Sequence, residues 1–220
     1  ISGSSTLTSG NSGTVTVSRN GDLLGKVYVS STGAVGGLGD AAIVDVEVQI
    51  GGQKIDKHTT EWMQMWAELT TPESKADAYR AMTGVTGTQG SSGTGVYQTQ
   101  IPLQFWFCRN PGLALPLIAL QYHEVKLKFN WGTAGGATAK VMCDYIYLDT
   151  DERRRFAQVS HEYLIEQLQY QAEGSAKSSY KLTLNHPVKE LFWTSAAAAV
   201  TTETAKLKLN GHDRFAAQEK

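Results

Sequence analysis

Short runs in which apolar and polar residues alternate limit the fold of this 220-residue chain more than any other feature. In the segment 43–50 the two classes separate onto opposite sides: Val44, Val46, Val48 and Ile50 against Asp45, Glu47 and Gln49. Successive side chains of a β-strand point to opposite faces, so this run predicts a strand with one covered face. We expect further strands over 15–17, 26–30, 97–107, 125–129 and 141–148, the last apolar enough to be covered on both faces. The chain is therefore expected to be mainly β.

Glycine-containing turns separate these runs. Gly51-Gly52 supplies the positive φ angles of a two-residue hairpin, and Asn20-Gly21 is a strong turn signal. Asn110-Pro111-Gly112 predicts a turn in which proline fixes φ and Gly112 is able to take the left-handed position. Short strands joined by such turns predict an antiparallel meander.

Helical periodicity is concentrated in residues 60–84. We expect Thr60 to cap a helix whose apolar residues share one face: Trp62, Met65, Trp66 and Leu69. Thr71 is then expected to cap a second helix that has Pro72 at its first position and ends at Gly84. The stretch from Gly84 to Gly95 is rich in Gly, Thr and Ser, which predicts an exposed loop.

The pattern changes after Asp149. Asp151 and Glu152 precede Arg153, Arg154 and Arg155. Acids at the start and arginines at the end of a helix interact favourably with its dipole, so this order predicts a single helical turn. We interpret 150–163 as a linker between two β units. Strand-like segments follow at 162–170, 180–184, 188–193 and 205–209, too few to close a second unit.

Charge and composition exclude several classes of protein. Lys and Arg total 20 against 21 Asp and Glu, so no basic excess is available for binding nucleic acid directly. No apolar run approaches the ~20 residues that span a bilayer. Cys108 and Cys143 lie in apolar stretches, which fits reduced core thiols better than a disulfide scaffold, although one buried disulfide between them stays open.

Catalytic and metal sites have little support in this sequence. The five histidines are far apart and form none of the usual ligand motifs: His58, His123, His161, His186 and His212. Together with the spacing of the two cysteines this predicts no metal site, no cofactor and no catalytic residue. His123-Glu124 is a single isolated pair, better interpreted as a local hydrogen bond.

Two groups of residues leave an alternative function open. Paired acids for glycoside cleavage could come from Asp144, Asp149, Asp151 and Glu152, although the adjacent arginines favour ion pairs. Trp62, Trp66 and Trp106 could stack on sugars, although tryptophans at helix and strand positions more often pack a core or an interface. Solvent exposure of the tryptophans separates these interpretations.

The segment Ile101–Phe129 resembles the major capsid protein of nucleocytoplasmic large DNA viruses, particularly the algal-virus branch. Further motifs resemble that family in the same order: Ser18–Leu23, Ile50–His58, Asp144–Thr150, Arg155–Gln158, His161–Gln167 and Leu209–Phe215. The resemblance covers nearly the whole chain.

This resemblance implies an all-β double jelly roll, that is, two consecutive antiparallel β-sandwiches with short helical insertions. The expected domains are a first jelly roll at 1–149 without its N-terminal strand, the linker 150–163, and the beginning of a truncated second jelly roll at 164–220. It also implies a structural virion protein, not an enzyme, that forms homotrimeric capsomers tiling an icosahedral shell. Its expected partners are copies of itself, neighbouring capsomers and minor capsid proteins, with assembly in the cytoplasm of the infected host cell.

Overall fold

The computed structural model describes residues 5–6, 10–33, 43–84, 97–132, 138–172, 177–193, 204–215 and 218–219. The chain divides into two compact units, residues 1–170 and residues 171–220. The predicted loop 84–95 lies outside the described residues except for Gly84.

The first unit contains nine strands and four α-helices among its described residues. The strands are β1 (Ser5–Thr6), β2 (Ser12–Thr16), β3 (Leu23–Gly33), β4 (Ile43–Ile50), β5 (Gln53–Thr59), β6 (Tyr97–Pro102), β7 (Leu115–Pro116), β8 (Val125–Trp131) and β9 (Thr138–Ile146). The helices are α1 (Thr60–Thr70), α2 (Glu73–Thr83), α3 (Trp106–Arg109) and α4 (Thr150–Gln158), with a 3₁₀ turn at Pro111–Leu113.

These strands form two antiparallel sheets. Sheet 1 has the order β1-β9-β3-β6, with β7 also pairing with β3, and sheet 2 has the order β2-β8-β4-β5. The core contains fully buried apolar residues from both sheets, including Val27 and Val29 of sheet 1 and Val46, Leu127 and Phe129 of sheet 2. Packing two sheets against each other covers the apolar side of each alternating strand, which is why the run at 125–129 appears as a strand with every second residue buried.

The predicted meander is wrong. Apart from the β4–β5 hairpin, consecutive strands among the described residues of the first unit are not neighbours: β2 pairs with β8, and β3 lies between β9 and β6. The hairpin itself is confirmed, because Gly51 and Gly52 have φ angles of 60° and 82°. Turn signals identify where the chain reverses but not which distant strand lies beside it.

Three strand predictions need correction. The run 97–107 is a strand only to Pro102, because Trp106, Phe107 and Cys108 turn into helix α3 and are buried there. Val44 is exposed instead of covered, because the pairing of β4 with β8 shifts by one residue between Ile43 and Asp45. Strand β9 is covered on one face only, and Met142 is 55% exposed.

The two helices of residues 60–83 exist, with boundaries and faces that differ from the prediction. The cap of α1 is Thr59, whose hydroxyl accepts a hydrogen bond from the Trp62 backbone N–H, and the buried face consists of Met63 and Ala67. Leu69 is 66% exposed. Helix α2 begins at Glu73, with Pro72 at the capping position, and ends as predicted at Gly84 in the left-handed conformation.

The predicted turn at 110–112 forms around the Asn110 side chain, which accepts a hydrogen bond from the Gly112 backbone N–H. Gly112 is not among the residues with positive φ, so the turn does not use the left-handed conformation that a glycine allows there. Further on, α4 extends over nine residues instead of a single turn, and none of them is buried.

Three of the four strand-like segments predicted after residue 160 are not strands: 162–170, 180–184 and 188–193. The fourth, 205–209, is strand only at its two ends. Residues 160–172, 177–193 and 206–207 are irregular. The second unit instead contains two short antiparallel pairs: β10 (Thr204–Ala205) with β13 (Gln218–Glu219), and β11 (Lys208–Leu209) with β12 (His212–Asp213). An apolar-polar run becomes a strand only when a neighbouring backbone accepts its hydrogen bonds, and the sequence pattern alone does not supply that neighbour.

Candidate assembly surface

The histidines do not converge. His58 of β5 is buried in the core. Its Nε2 lies 2.9 Å from Asp56 Oδ2, and its ring stacks on Phe105 with the ring centroids 4.3 Å apart. His161 stacks on Phe156, and His123 lies against the Gly51 backbone. His186 and His212 belong to the second unit. Over the part of the chain that the structure describes, no three His, Cys, Asp or Glu side chains are grouped to hold a metal ion.

The two cysteines are free thiols. Burial raises the pKa of Cys108 to about 12, and burial likewise raises the pKa of Cys143 to about 12. The thiolate is the reactive form of cysteine, so the raised pKa values keep both side chains in the less reactive thiol form at neutral pH.

The tryptophans do not form an open sugar-binding platform. Trp106 is 4% exposed in the core. Trp62 and Trp66 are half-buried with ring centroids 5.7 Å apart, and the Arg109 guanidinium lies 4.5 Å above the Trp66 ring. A sugar stacks on a free aromatic face, and on Trp66 the Arg109 guanidinium already occupies one face of the ring.

The acidic residues considered for glycoside cleavage are all exposed. Asp151 pairs with Arg154 at 3.5 Å within α4. Arg153 instead reaches the buried Asp22, with Nε 3.0 Å from Oδ1. The other Asp22 oxygen accepts a hydrogen bond from the Leu148 backbone N–H at 2.8 Å. The arginine cluster therefore has a structural role, because Arg153 attaches α4 to the sandwich. The sequence did not predict a role for Asp22, since no local pattern distinguishes a buried carboxylate from an exposed one.

Residues 163–168, here called the clasp segment, lie along the first unit without forming a strand. Glu166 pairs with Arg109 at 3.0 Å, the Gln167 amide donates to the Ile55 carbonyl, and the Leu168 backbone N–H donates to Asp56 Oδ1 at 3.0 Å. Ile165 packs against the core cluster. Because β5 is the edge strand of sheet 2, the clasp segment covers an edge that would otherwise present unpaired backbone groups.

The outer face of sheet 2 is polar and internally paired. Asp45 is contacted by Lys57 at 2.9 Å and by the Asn130 amide at 2.7 Å. Glu47 pairs with Lys54 at 3.7 Å. Because these charges have partners on neighbouring strands, this polar face is stable in contact with water.

The outer face of sheet 1 is different. Tyr28 of β3 lies directly opposite Met142 of β9 on one side and Pro102 of β6 on the other, and these three residues are called the outer stripe. Their neighbours in sequence, Val29, Val141 and Ile101, are buried, so the outer stripe faces away from the core. Tyr28 and Pro102 also line a cleft of about 350 Å³ together with Trp66 and Arg109. The alternation of residues along β9 is the sequence signal that could have predicted this exposed face. The prediction that both faces of β9 are covered did not use it.

No helix among the described residues combines the length and apolar character needed to cross a membrane.

Comparisons with known proteins agree with this architecture. Residues 2–149 match the family described as major capsid protein N-terminus, and residues 152–204 match the large eukaryotic DNA virus major capsid protein. The chain is 51% identical to the major capsid protein of Pyramimonas orientalis virus over 92% of its own length and 58% of that protein. It is 36% identical to that of Paramecium bursaria Chlorella virus 1 over 96% of its length and 64% of that protein.

Structural similarity leads to the same group. The quasi-atomic model of the PBCV-1 virus capsid superposes with a TM-score of 0.79 and 33% identity, covering 99% of this chain and 70% of that one. The fold and the matches define a jelly-roll protein of the viral capsid class. The chain belongs to the major capsid protein family of large eukaryotic DNA viruses. The family resemblance and the all-β double jelly-roll class predicted from the sequence are confirmed, and the chain spans 58% and 64% of the two curated relatives.

Proposed function

We propose that this chain is part of a structural capsid subunit whose role is to bury surface against other copies and build an icosahedral shell. The observation that carries the proposal is the match of 99% of the chain to the PBCV-1 virus capsid. The sandwich supports it, because many of its described polar residues form internal ion pairs and hydrogen bonds. The protein is accordingly proposed to be a virion component and not an enzyme, with no catalytic, cofactor or metal site.

The proposed assembly unit is a homotrimer that tiles as a pseudo-hexagonal capsomer, with neighbouring capsomers and minor capsid proteins as further partners. We place its assembly in the cytoplasm of the infected cell. Helices α1 and α2, together with the loop 84–95, are proposed to be the outward insertions of the first jelly roll. Insertions at the ends of a sandwich can vary without disturbing the core and are therefore common sites of contact.

The proposed domain organisation remains a first jelly roll at 1–149, a linker at 150–163 and the start of a second jelly roll at 164–220. The two family matches, which meet between residues 149 and 152, support a division there. The contacts of the clasp segment favour a later end of the first compact body, at Tyr170.

The carbohydrate-binding or glycoside-cleaving alternative lacks a supporting observation. Trp106 is buried, the Arg109 guanidinium lies over the Trp66 ring, and the candidate acids are exposed. Direct nucleic-acid binding is likewise not proposed, because the net charge is −1.

The test is the mass and shape of the purified full-length protein. Light scattering is expected to give the mass of three subunits, and negative-stain electron microscopy should show particles with a hexagonal outline. A protein that stays monomeric at high concentration would contradict the proposal.

A further inference from the structure

We propose that the outer face of sheet 1, along the outer stripe, is a two-fold contact surface between two copies of this chain. The inference rests on the proposed capsid function and adds which face associates and with what symmetry.

The first argument is the contrast between the two outer faces of the sandwich. On sheet 2, the carboxylates of Asp45 and Glu47 have cationic partners within the same sheet. On sheet 1, the outer stripe runs across three strands, with Met142 55% exposed and Tyr28 and Pro102 half-buried beside it. A continuous apolar row bordered by polar residues is typical of a protein contact surface.

The second argument is the charge on either side of the outer stripe. Lys140 and Asp144 lie two residues before and two residues after Met142 on the exposed face of β9. Each is therefore about 7 Å along the strand from Met142. Among the residues that the structure describes, neither charge belongs to an ion pair, unlike Lys54 and Lys57 on sheet 2.

This arrangement is self-complementary. Rotation by 180° about an axis running along the outer stripe lays the stripe of one copy on that of the other. The same rotation exchanges the positions of residues 140 and 144, so Lys140 of one copy faces the Asp144 position of the second copy, and the reverse pair forms at the same time. A two-fold contact uses one patch twice, and opposite charges at equal distances from an apolar centre satisfy that requirement.

The size of the patch indicates a weak contact. Stable pairwise interfaces bury roughly 800 Å² per partner, more than one stripe of three residues and two charges supplies. A contact of this size holds only when it is repeated, so it fits association between preassembled capsomers better than the formation of the trimer itself.

Charge reversal in the full-length protein tests the symmetry. Lys140→Asp places two acids opposite each other in both symmetric pairs, and Asp144→Lys places two lysines opposite each other. We expect each single variant to weaken association between trimers by on the order of tenfold, since exposed charge pairs have modest individual effects and the symmetry counts each twice. The double variant Lys140→Asp/Asp144→Lys restores opposite charges and should return association to within about threefold of wild type. Sedimentation velocity measures these equilibria, and thermal melting confirms that every variant is folded.

Cross-linking provides an independent measurement. Met142 lies beside the proposed axis, so Met142→Cys should give disulfide-linked dimers when a mild oxidant is added. Thr16→Cys, exposed on sheet 2, is the matched control, and the wild type gives the background from Cys108 and Cys143.

The outcomes separate the two proposals. Trimers that associate equally well in wild type and in all charge variants would overturn the contact inference and leave the capsid function standing. Single variants that weaken association without rescue by the double variant would overturn the two-fold symmetry and therefore the inference. A wild-type protein that remains monomeric would overturn both.

Discussion

Asp22 and Gly51 are two residues whose identity is required by their immediate surroundings. Asp22 is buried at the end of the Asn20-Gly21 turn, where its carboxylate joins the end of β9 to α4 through Leu148 and Arg153. Gly51 has a positive φ and lies against the His123 ring. In both cases the residue required at a turn depends on a contact with a residue distant in sequence: Leu148 and Arg153 for Asp22, and His123 for Gly51.

Replacing Asp22 by alanine is expected to lower the free energy of unfolding by roughly 1–3 kcal/mol, because the partly buried Leu148 N–H and the Arg153 guanidinium lose a buried acceptor. Urea denaturation of the purified protein measures the change. Asp151→Ala is the matched control, since it removes an exposed partner of Arg154 and should cost less than about 0.5 kcal/mol. Equal effects of the two substitutions would show that Asp22 does not anchor α4.

Gly51→Ala should destabilise the protein more than Gly52→Ala. Both positions have positive φ, but a Cβ at residue 51 would lie 2.6 Å from His123 Nδ1, whereas nothing lies within 4 Å of a Cβ at residue 52. Backbone strain of about 1 kcal/mol is common to both, so the difference in unfolding free energy measures the clash alone. Adding His123→Ala to Gly51→Ala should remove that difference. If it does not, the close approach to His123 is not the cause.

At the scale of elements, the clasp segment shows how an irregular stretch contributes to a β-sandwich. It contacts β5 through Ile55 and Asp56 and contacts helix α3 through Arg109. Its hydrogen bonds go partly to side chains, so it covers the edge of sheet 2 without adding a strand. Edge strands without such cover are prone to pair with other chains.

Leu168→Pro is expected to release the clasp segment, because proline has no N–H to donate to Asp56. Amide hydrogen exchange in β5 should become faster. The unfolding free energy should fall by about 1–3 kcal/mol, because a buried carboxylate oxygen loses one of its two backbone donors and keeps only the Lys57 N–H. The matched control is Leu164→Pro, at a residue whose side chain is 90% exposed. Unchanged exchange in β5 of the Leu168 variant would show that the clasp segment does not protect the edge.

At the scale of the whole chain, the two units differ in how much of their surface is buried. The first unit contains the core cluster between the two sheets. No residue of 171–172, 177–193 or 206–215 is buried, and the exposed apolar side chains there include Tyr180, Leu182 and Trp193. Burial of apolar surface is the main source of folding free energy, so stability should be concentrated in the first unit.

Limited trypsin digestion of the 220-residue chain tests this difference. We expect early cleavage at Lys177, Lys181 and Lys189, while Lys57, Lys126 and Lys128 in the strands of sheet 2 remain protected. Mass spectrometry identifies the order of the cuts. Resistance extending through the second unit, equal to that of the first, would show that residues 171–220 are stable by themselves.

The sequence by itself determined the strand class of β4 and β8, the hairpin at Gly51-Gly52, the end of α2 at Gly84 and, through its motifs, the family. The first three features depend on interactions between residues close in sequence. The family depends on long motifs that resemble those of its members. Only the tertiary structure decided that β2 pairs with β8, that Trp106 to Arg109 turn into a helix, that Arg153 reaches Asp22 and that Met142 faces outward. Alternation specifies that a strand has two different faces, whereas the choice of neighbour and of covered face depends on contacts between residues more than a hundred positions apart, which no local pattern contains.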